Sequence, residues 1–173
     1  MQGQVPMCRT VRRWAAADLE RVGCVHSRSR QEAYAGLVPA EALARVTPDQ
    51  QAMMWRARLA SLPEQHAAVV VAHEGEVVGF AVAQFDAETG AELLAMHVVP
   101  EQQGTGAGQA LMDVVIDAFR GWAVADARLH VIEGNERAQA FYRRNGWRVS
   151  GSAGWHEIGG AAVPIVEYRL VVA

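Results

Sequence analysis

The sequence contains no lysine: all 16 of its basic residues are arginine. It has only two cysteines, Cys8 and Cys24, and they form no CxxC pair. Its six histidines are scattered with no HxxxH spacing. Each absence excludes a class of chemistry. Without lysine there is no Walker loop, which needs GxxxxGK[ST], and no lysine side chain to be acylated. Without a Cys/His cluster there is no zinc-type ligand set, so no metal is expected. The cysteines read as small core residues of a reduced compartment. No apolar run approaches the ~18 residues of a membrane helix. The opening MQGQVPMCRTVRRW lacks an apolar signal core, so a cytoplasmic location is expected, with no membrane partner. Aromatics make up 7% of the chain and the net charge is −3. That charge argues against a nucleic-acid partner held by bulk attraction.

What is present is a chain of 173 residues, 51% of them hydrophobic. That is the size of a single domain, residues 1–173, able to bury its own core. Periodicity predicts strands at 8–14, 67–73, 77–85, 92–99, 127–133, 147–151 and 163–172. It predicts helices from an Asp18 cap to about Tyr34, at 48–62, 108–122 and 135–146, and a short one within 36–46. Met54, Arg58 and Leu62 mark one stripe of the second helix; Leu111, Val114, Val115 and Ala118 mark that of the third. Glu74-Gly75-Glu76 reads as a hairpin turn. Asn135 and Gly146 read as the caps of the last helix. Residues 151–160 read as a glycine-rich loop. The order β-α-α-β-β-β-α-β-α-β-β implies an α/β (α+β) fold. Its sheet would be mixed and mostly antiparallel, with about seven strands and helices on both faces.

The most specific signal is VVPEQQGTGAGQALM. Here Gln103, Gly106 and Gly108 fit Q/R-x-x-G-x-G/A between a strand and a helix. Glycines let a backbone turn with its N–H groups inward. Those groups, with the positive end of the following helix, make an anion cradle suited to a pyrophosphate. A dinucleotide fingerprint would need a third glycine where Gln109 stands, after a βαβ start that the antiparallel run does not offer. A purely structural turn is the plain alternative.

These residues resemble the acetyl-CoA motif of the GNAT (Gcn5-related N-acetyltransferase) superfamily. A second segment, Asn135, Ala138, Phe141, Tyr142, Gly146 and Trp147, resembles that family's N-x-x-A-x-x-F-Y-x-x-x-G-F/W. Together the two cover roughly residues 90–150. The resemblance implies an acyltransferase that moves an acetyl group from acetyl-CoA to an amine by direct attack. It implies a splayed strand with Met96 binding the acetyl carbonyl through its N–H, and Val98 and Val99 beside the pantetheine. Gln103, Gly104, Thr105, Gly106, Ala107, Gly108 and Gln109 would hold the pyrophosphate. Asn135, Phe141 and Tyr142 would contact the pantetheine or the sulfur. Tyr142 resembles the general acid that protonates the departing thiolate, although it also reads as an aromatic wedge. Glu92 stands where the histone-acetylating branch places its base; ordered water is the alternative. His97, His130, Glu133 and His156 are weaker candidates.

The acceptor site implied by the resemblance spans roughly 26–45 and 151–163, with Arg30, Tyr34, Trp155 and Glu157 as candidate contacts. Arg28, Arg30 and Arg45 suggest an acceptor with a carboxylate or phosphate, or else a solvated helix face. Glu32, Glu41 and Glu157 are too few to mark a polycation site. The acceptor is expected to be a small-molecule or peptide amine. A non-catalytic acyl-CoA-binding module, another acyl group, or an O-acceptor are the alternatives. Family members are often dimers, which leaves a homodimer open.

Overall fold

Seven residues in a row, Val77 through Ala83, are buried. A strand with one wet face would alternate, so this one is covered on both sides. It lies within β3 (Glu76–Asp86), in the interior of a seven-stranded sheet. The computed structural model describes residues 9–173. The other strands are β1 (Arg9–Arg13), β2 (His66–His73), β4 (Gly90–Val98), β5 (Asp126–Ile132), β6 (Arg148–Ile158) and β7 (Ala161–Val171). Their order is β1-β2-β3-β4-β5-β7-β6. β4 and β5 pair in parallel, and the other neighbouring strands are antiparallel. The mixed, mostly antiparallel α/β arrangement is the one the element order implies. Cys8 lies outside the described residues, and Cys24 is a half-buried free thiol.

Two hairpins close by the same device. Glu74 and Gly75 have φ of 52° and 86°, and Gly159 and Gly160 have 56° and 86°. Two successive left-handed residues make the turn whose twist matches that of paired strands. Gly159 carries a second constraint, since a Cβ there would lie 1.9 Å from the Ala42 carbonyl oxygen. The glycine-rich stretch 151–160 is therefore not a loop. Gly151 and Gly154 sit at register shifts along β6, an edge strand, and only Gly159–Gly160 turns the chain. Glycine in a strand marks bulges as readily as it marks loops.

The helices are α1 (Leu19–Ala33), α2 (Ala40–Ala44), α3 (Pro48–Leu59), α4 (Ala107–Gly121) and α5 (Glu136–Arg144). α1 and α3 cross at Gly23, where a Cβ would lie 2.4 Å from the Pro48 carbonyl oxygen. That crossing selects the inward face of α3. Gln51 and Trp55 are its buried residues, not the stripe of Met54, Arg58 and Leu62, and the helix ends at Leu59. Thr47 and Gln50 close a capping box at its start, with Pro48 in the first turn. Asp18 occupies the N-cap position of α1, but its side chain makes no cap hydrogen bond there. Its carboxylate accepts from the Ala15 amide at 2.7 Å and from both Arg12 terminal nitrogens at 2.7 and 2.8 Å. On α4 the buried stripe is Leu111, Met112, Val115 and Phe119, with Val114 and Ala118 only half-buried.

Phe80 of β3 carries an aromatic layer on one side, with Trp14, Trp55, His26 and His97 each 5.5 Å away by ring centroids. Phe119 of α4 leads another, through Trp147 at 6.4 Å to Tyr142 a further 6.3 Å on. Among the described residues no helix is long and apolar enough to cross a membrane.

Candidate active site

β4 and β5 pair only at Ala91–Ala127, Glu92–Arg128 and Leu93–Leu129. There they part. The register between β3 and β4 jumps at the same place: Val82 faces Ala95 and Ala83 faces Leu93, so Leu94 is the extra residue of a bulge. The Val99 amide donates to the Val78 carbonyl at 2.9 Å, which fixes the phase of the strand. Backbone groups alternate sides along a strand, so the amides of Val98 and Met96 point away from β3, into the fork. Val99 differs from its expected role. Its amide and its carbonyl are both engaged, to Val78 and Gln102, and its side chain is buried.

The fork opens into a cleft of about 1110 Å³. One end is the glycine loop. Gly104 and Gly106 have φ of 74° and 93°. These left-handed positions turn the chain into α4 without a side-chain cap. The helix's first backbone bond runs from the Ala110 amide to the Gly106 carbonyl at 3.0 Å. None of the amides from Gly104 through Gln109 finds an acceptor among the described residues. A row of unpaired amides at the start of a 15-residue helix is a site for an anion. Arg9 borders it, donating to the Thr105 carbonyl at 2.7 Å and to the Thr105 hydroxyl at 2.8 Å. Sequence reading treats Arg9 only as a strand residue, since nothing local links positions 96 residues apart. Gln103 ties the loop to the fork by donating to the Val98 carbonyl at 3.0 Å. The Gln109 side chain turns elsewhere, to Asp113 at 2.9 Å and Asn145 at 2.7 Å, leaving only its amide for a ligand.

α5 forms the facing wall. Asn135 caps it, accepting from the Ala138 amide at 3.3 Å, and Gly146 with φ 86° follows its end. Phe141 lies over the start of α4, 3.6 Å from where a Gly108 Cβ would be. The Tyr142 ring packs among Phe141, Trp147 and Tyr168 at 5.7, 6.3 and 6.4 Å. Its hydroxyl makes no hydrogen bond among the described residues, and burial, with nearby Tyr34, pushes its pKa up. The phenol therefore stays protonated. Burial also pushes the Tyr34 phenol up, against the opposing pull of Arg30.

The third wall comes from α1 and α3. His26, Arg30 and Tyr34 follow one another at four-residue steps and so share one helix face. Trp55 donates its indole N–H to His26 Nδ1 at 3.0 Å, and the two imidazoles of His26 and His97 stack at 4.3 Å. His97 Nδ1 lies 3.1 Å from the Ser29 hydroxyl. Burial first, then Arg30, lowers the His97 pKa to about 3; burial and the neighbouring positive groups hold His26 well below its usual value. Both rings are neutral. At the crotch of the fork Glu92 meets Arg128 at 3.0 Å and His130 at 3.3 Å. His156 and Glu157 reach the cleft from β6. Trp155 does not line it and is 71% exposed. Of the three arginines marked in the sequence only Arg30 lines it: Arg28 pairs with Glu101 at 2.9 Å and Arg45 donates to the Gly159 carbonyl at 3.1 Å. Glu41 and Glu133 also lie outside. Among the described residues no three His, Cys, Asp or Glu side chains gather to hold a metal ion.

The comparisons agree with this geometry. The signature of the Acetyltransferase (GNAT) family matches residues 20–147. An uncharacterized N-acetyltransferase of Mycobacterium bovis is 32% identical over 114 residues, 62% of this chain and 73% of its own length. The crystal structure of PaiA N-acetyltransferase from Thermoplasma acidophilum, in complex with coenzyme A, superposes with a TM-score of 0.74. Its identity is 21%, covering 93% of this chain and 98% of that one. The ribosomal-protein-S18-alanine N-acetyltransferase of Escherichia coli superposes at 0.69 with 20% identity, covering 96% and 95%. With its own fork, glycine loop and matching signature, the chain belongs to the GNAT acetyltransferase family.

Proposed function

We propose that this chain is an acetyl-CoA-dependent N-acetyltransferase, acting on a primary amine of a small molecule or a protein N-terminus by direct attack. The observation that carries the reading is the continuity of the cleft: unpaired amides from Gly104 to Gln109 at one end, then the inward amides of Val98 and Met96, then the Tyr142 hydroxyl. The loop amides and Arg9 suit the pyrophosphate of coenzyme A. The Val98 amide suits the pantetheine arm, and the Met96 amide the thioester oxygen, where it offsets charge as the amine adds. Asn135 and Phe141 line the path of the arm.

Two proton movements remain. An amine of pKa near ~10 must lose its proton before it attacks. His97 cannot take it, with so little proton affinity left. Glu92 is four residues from Met96 along β4, about 13 Å at the strand rise, so it serves through ordered water. Arg128 and His130 fix its carboxylate in the crotch. Tyr142, kept protonated, gives its proton to the departing sulfur. On the same reading the chain is one domain and works in the cytoplasm.

The test is thiol release from acetyl-CoA by purified protein against amino acids, polyamines, aminoglycosides and N-terminal peptides. Release that depends on one acceptor class supports the reading. Tight coenzyme A binding with no release for any acceptor would replace it with a binding module.

A further inference from the structure

On its α1–α3 wall the cleft holds two arginines without carboxylate partners; a third, Arg144 of α5, is exposed to solvent on the facing wall. Arg30 of α1 and Arg58 of α3 both line it, and neither forms an ion pair among the described residues. Arg30 is the more telling. Its Nε is buried with no hydrogen-bond partner. Arg58 stands over the Trp55 ring, its guanidinium carbon 5.7 Å from the ring centre. The carboxylates that could neutralise them are spent elsewhere. Glu32 pairs with Arg137 at 3.1 Å, Glu92 with Arg128 at 3.0 Å, and Glu136 with Arg143 at 3.8 Å. Of the carboxylates that line the cleft, Glu157 forms no ion pair among the described residues, and it sits at the exposed rim beside His156.

We propose that the acceptor is an amine that also carries a carboxylate or phosphate group, and that Arg30, with Arg58 beside it, binds that group. The proposal rests on the acetyltransferase reading and names its acceptor class. A guanidinium withdrawn from water without a counter-charge is costly. An anion arriving with the substrate supplies that counter-charge, and the planar fork of arginine suits the paired oxygens of a carboxylate or phosphate. The surroundings favour the same sign. The imidazoles of His26, His97 and His156 are all held below their usual pKa, and Arg30 contributes to each. His26 and His156 also feel Arg58. This wall repels a polycation, which makes polyamines and aminoglycosides poor acceptors.

The experiment is calorimetric titration of the protein, saturated with coenzyme A, with matched pairs of amines. Phenylalanine is compared with phenethylamine, and phosphoethanolamine with ethanolamine; spermidine is the cationic control. The expected result is roughly ten- to hundredfold tighter binding of the anionic member of at least one pair, the range of a charge-assisted hydrogen bond. Which pair shows it tells carboxylate from phosphate. Arg30→Gln removes the preference while coenzyme A affinity stays within twofold. Arg58→Gln, at an exposed position, weakens the preference without burdening the fold. Equal binding within both pairs, no binding of either anionic amine, tightest binding of spermidine, or an intact preference in Arg30→Gln overturns the proposal. Thiol release is scored separately: an anion preference without release keeps the Arg30 site and removes the transferase reading.

Discussion

Tyr142→Phe separates chemistry from packing at one atom. The substitution removes a hydroxyl that makes no hydrogen bond among the described residues and leaves the ring against Phe141, Trp147 and Tyr168. With no bond to lose, stability should change by no more than about 0.5 kcal/mol. General-acid catalysis contributes about 10²–10⁴ in rate. The leaving group here is a thiol with a pKa near ~8.5, already a fair leaving group, so the lower end applies. Turnover at saturating acetyl-CoA should fall about a hundredfold, or ~2.7 kcal/mol in activation free energy. Coenzyme A affinity should stay within twofold and the melting temperature nearly constant. Burial raises the Tyr142 pKa, so the proton-donating form persists and the wild-type rate should show no alkaline loss from this residue below about pH 10. Turnover in Tyr142→Phe within twofold of wild type would refute the acid role and leave a packing wedge. Tyr142→Ala is the wrong test, because emptying this site costs about 3–5 kcal/mol of stability by itself.

Gly106→Glu should weaken coenzyme A binding by about two orders of magnitude, read by calorimetry. At φ 93° the residue is strained, and its carboxylate would reach Arg9, whose nitrogen lies 3.0 Å from the Cβ position, and fill the anion cradle; unchanged affinity in a folded variant rejects the loop assignment. Glu92→Gln should slow turnover about tenfold or more with coenzyme A affinity unchanged, because the amide cannot accept the amine proton; unchanged turnover gives the base role to water alone. Gly23→Ala should lower stability by about 1–3 kcal/mol in a urea titration, since the Cβ meets the Pro48 carbonyl at 2.4 Å and α1 must move off α3. A raised midpoint would show that the crossing has slack. Asp18 is held below the usual carboxylate range, first by the Arg12 hydrogen bonds. Its contribution is present above about pH 4 and lost as pH falls through its folded pKa, so Asp18→Asn should narrow the stability gap between pH 7 and pH 3. An equal gap in both proteins would remove Asp18 from acid sensitivity.

The parts of this site that were legible in the sequence are those whose physics is local. The amide row follows from glycines at left-handed positions and a helix that starts without a side-chain cap. Each fact concerns a few consecutive residues, so VVPEQQGTGAG carries them entire. Asn135 with Gly146 is readable for the same reason: a cap and a stop bracket one helix. The acceptor wall is different. His26, Trp55 and His97 become neighbours only because α1 and α3 cross at Gly23 over the same stretch of sheet, and no spacing rule joins them. Arginines of equal appearance take unequal roles there. Arg28 turns to Glu101 and Arg45 to a carbonyl of the β6–β7 turn, while Arg30 faces the cleft and is joined by Arg58, which the sequence placed on a helix stripe. The glycines of 151–160 mislead in the same way, because a bulge in an edge strand and a loop have the same composition. The donor half of the reaction can therefore be read from local rules. The acceptor half depends on packing, and it is there that Arg30, half-buried with its Nε unpartnered, carries the proposed choice of acceptor.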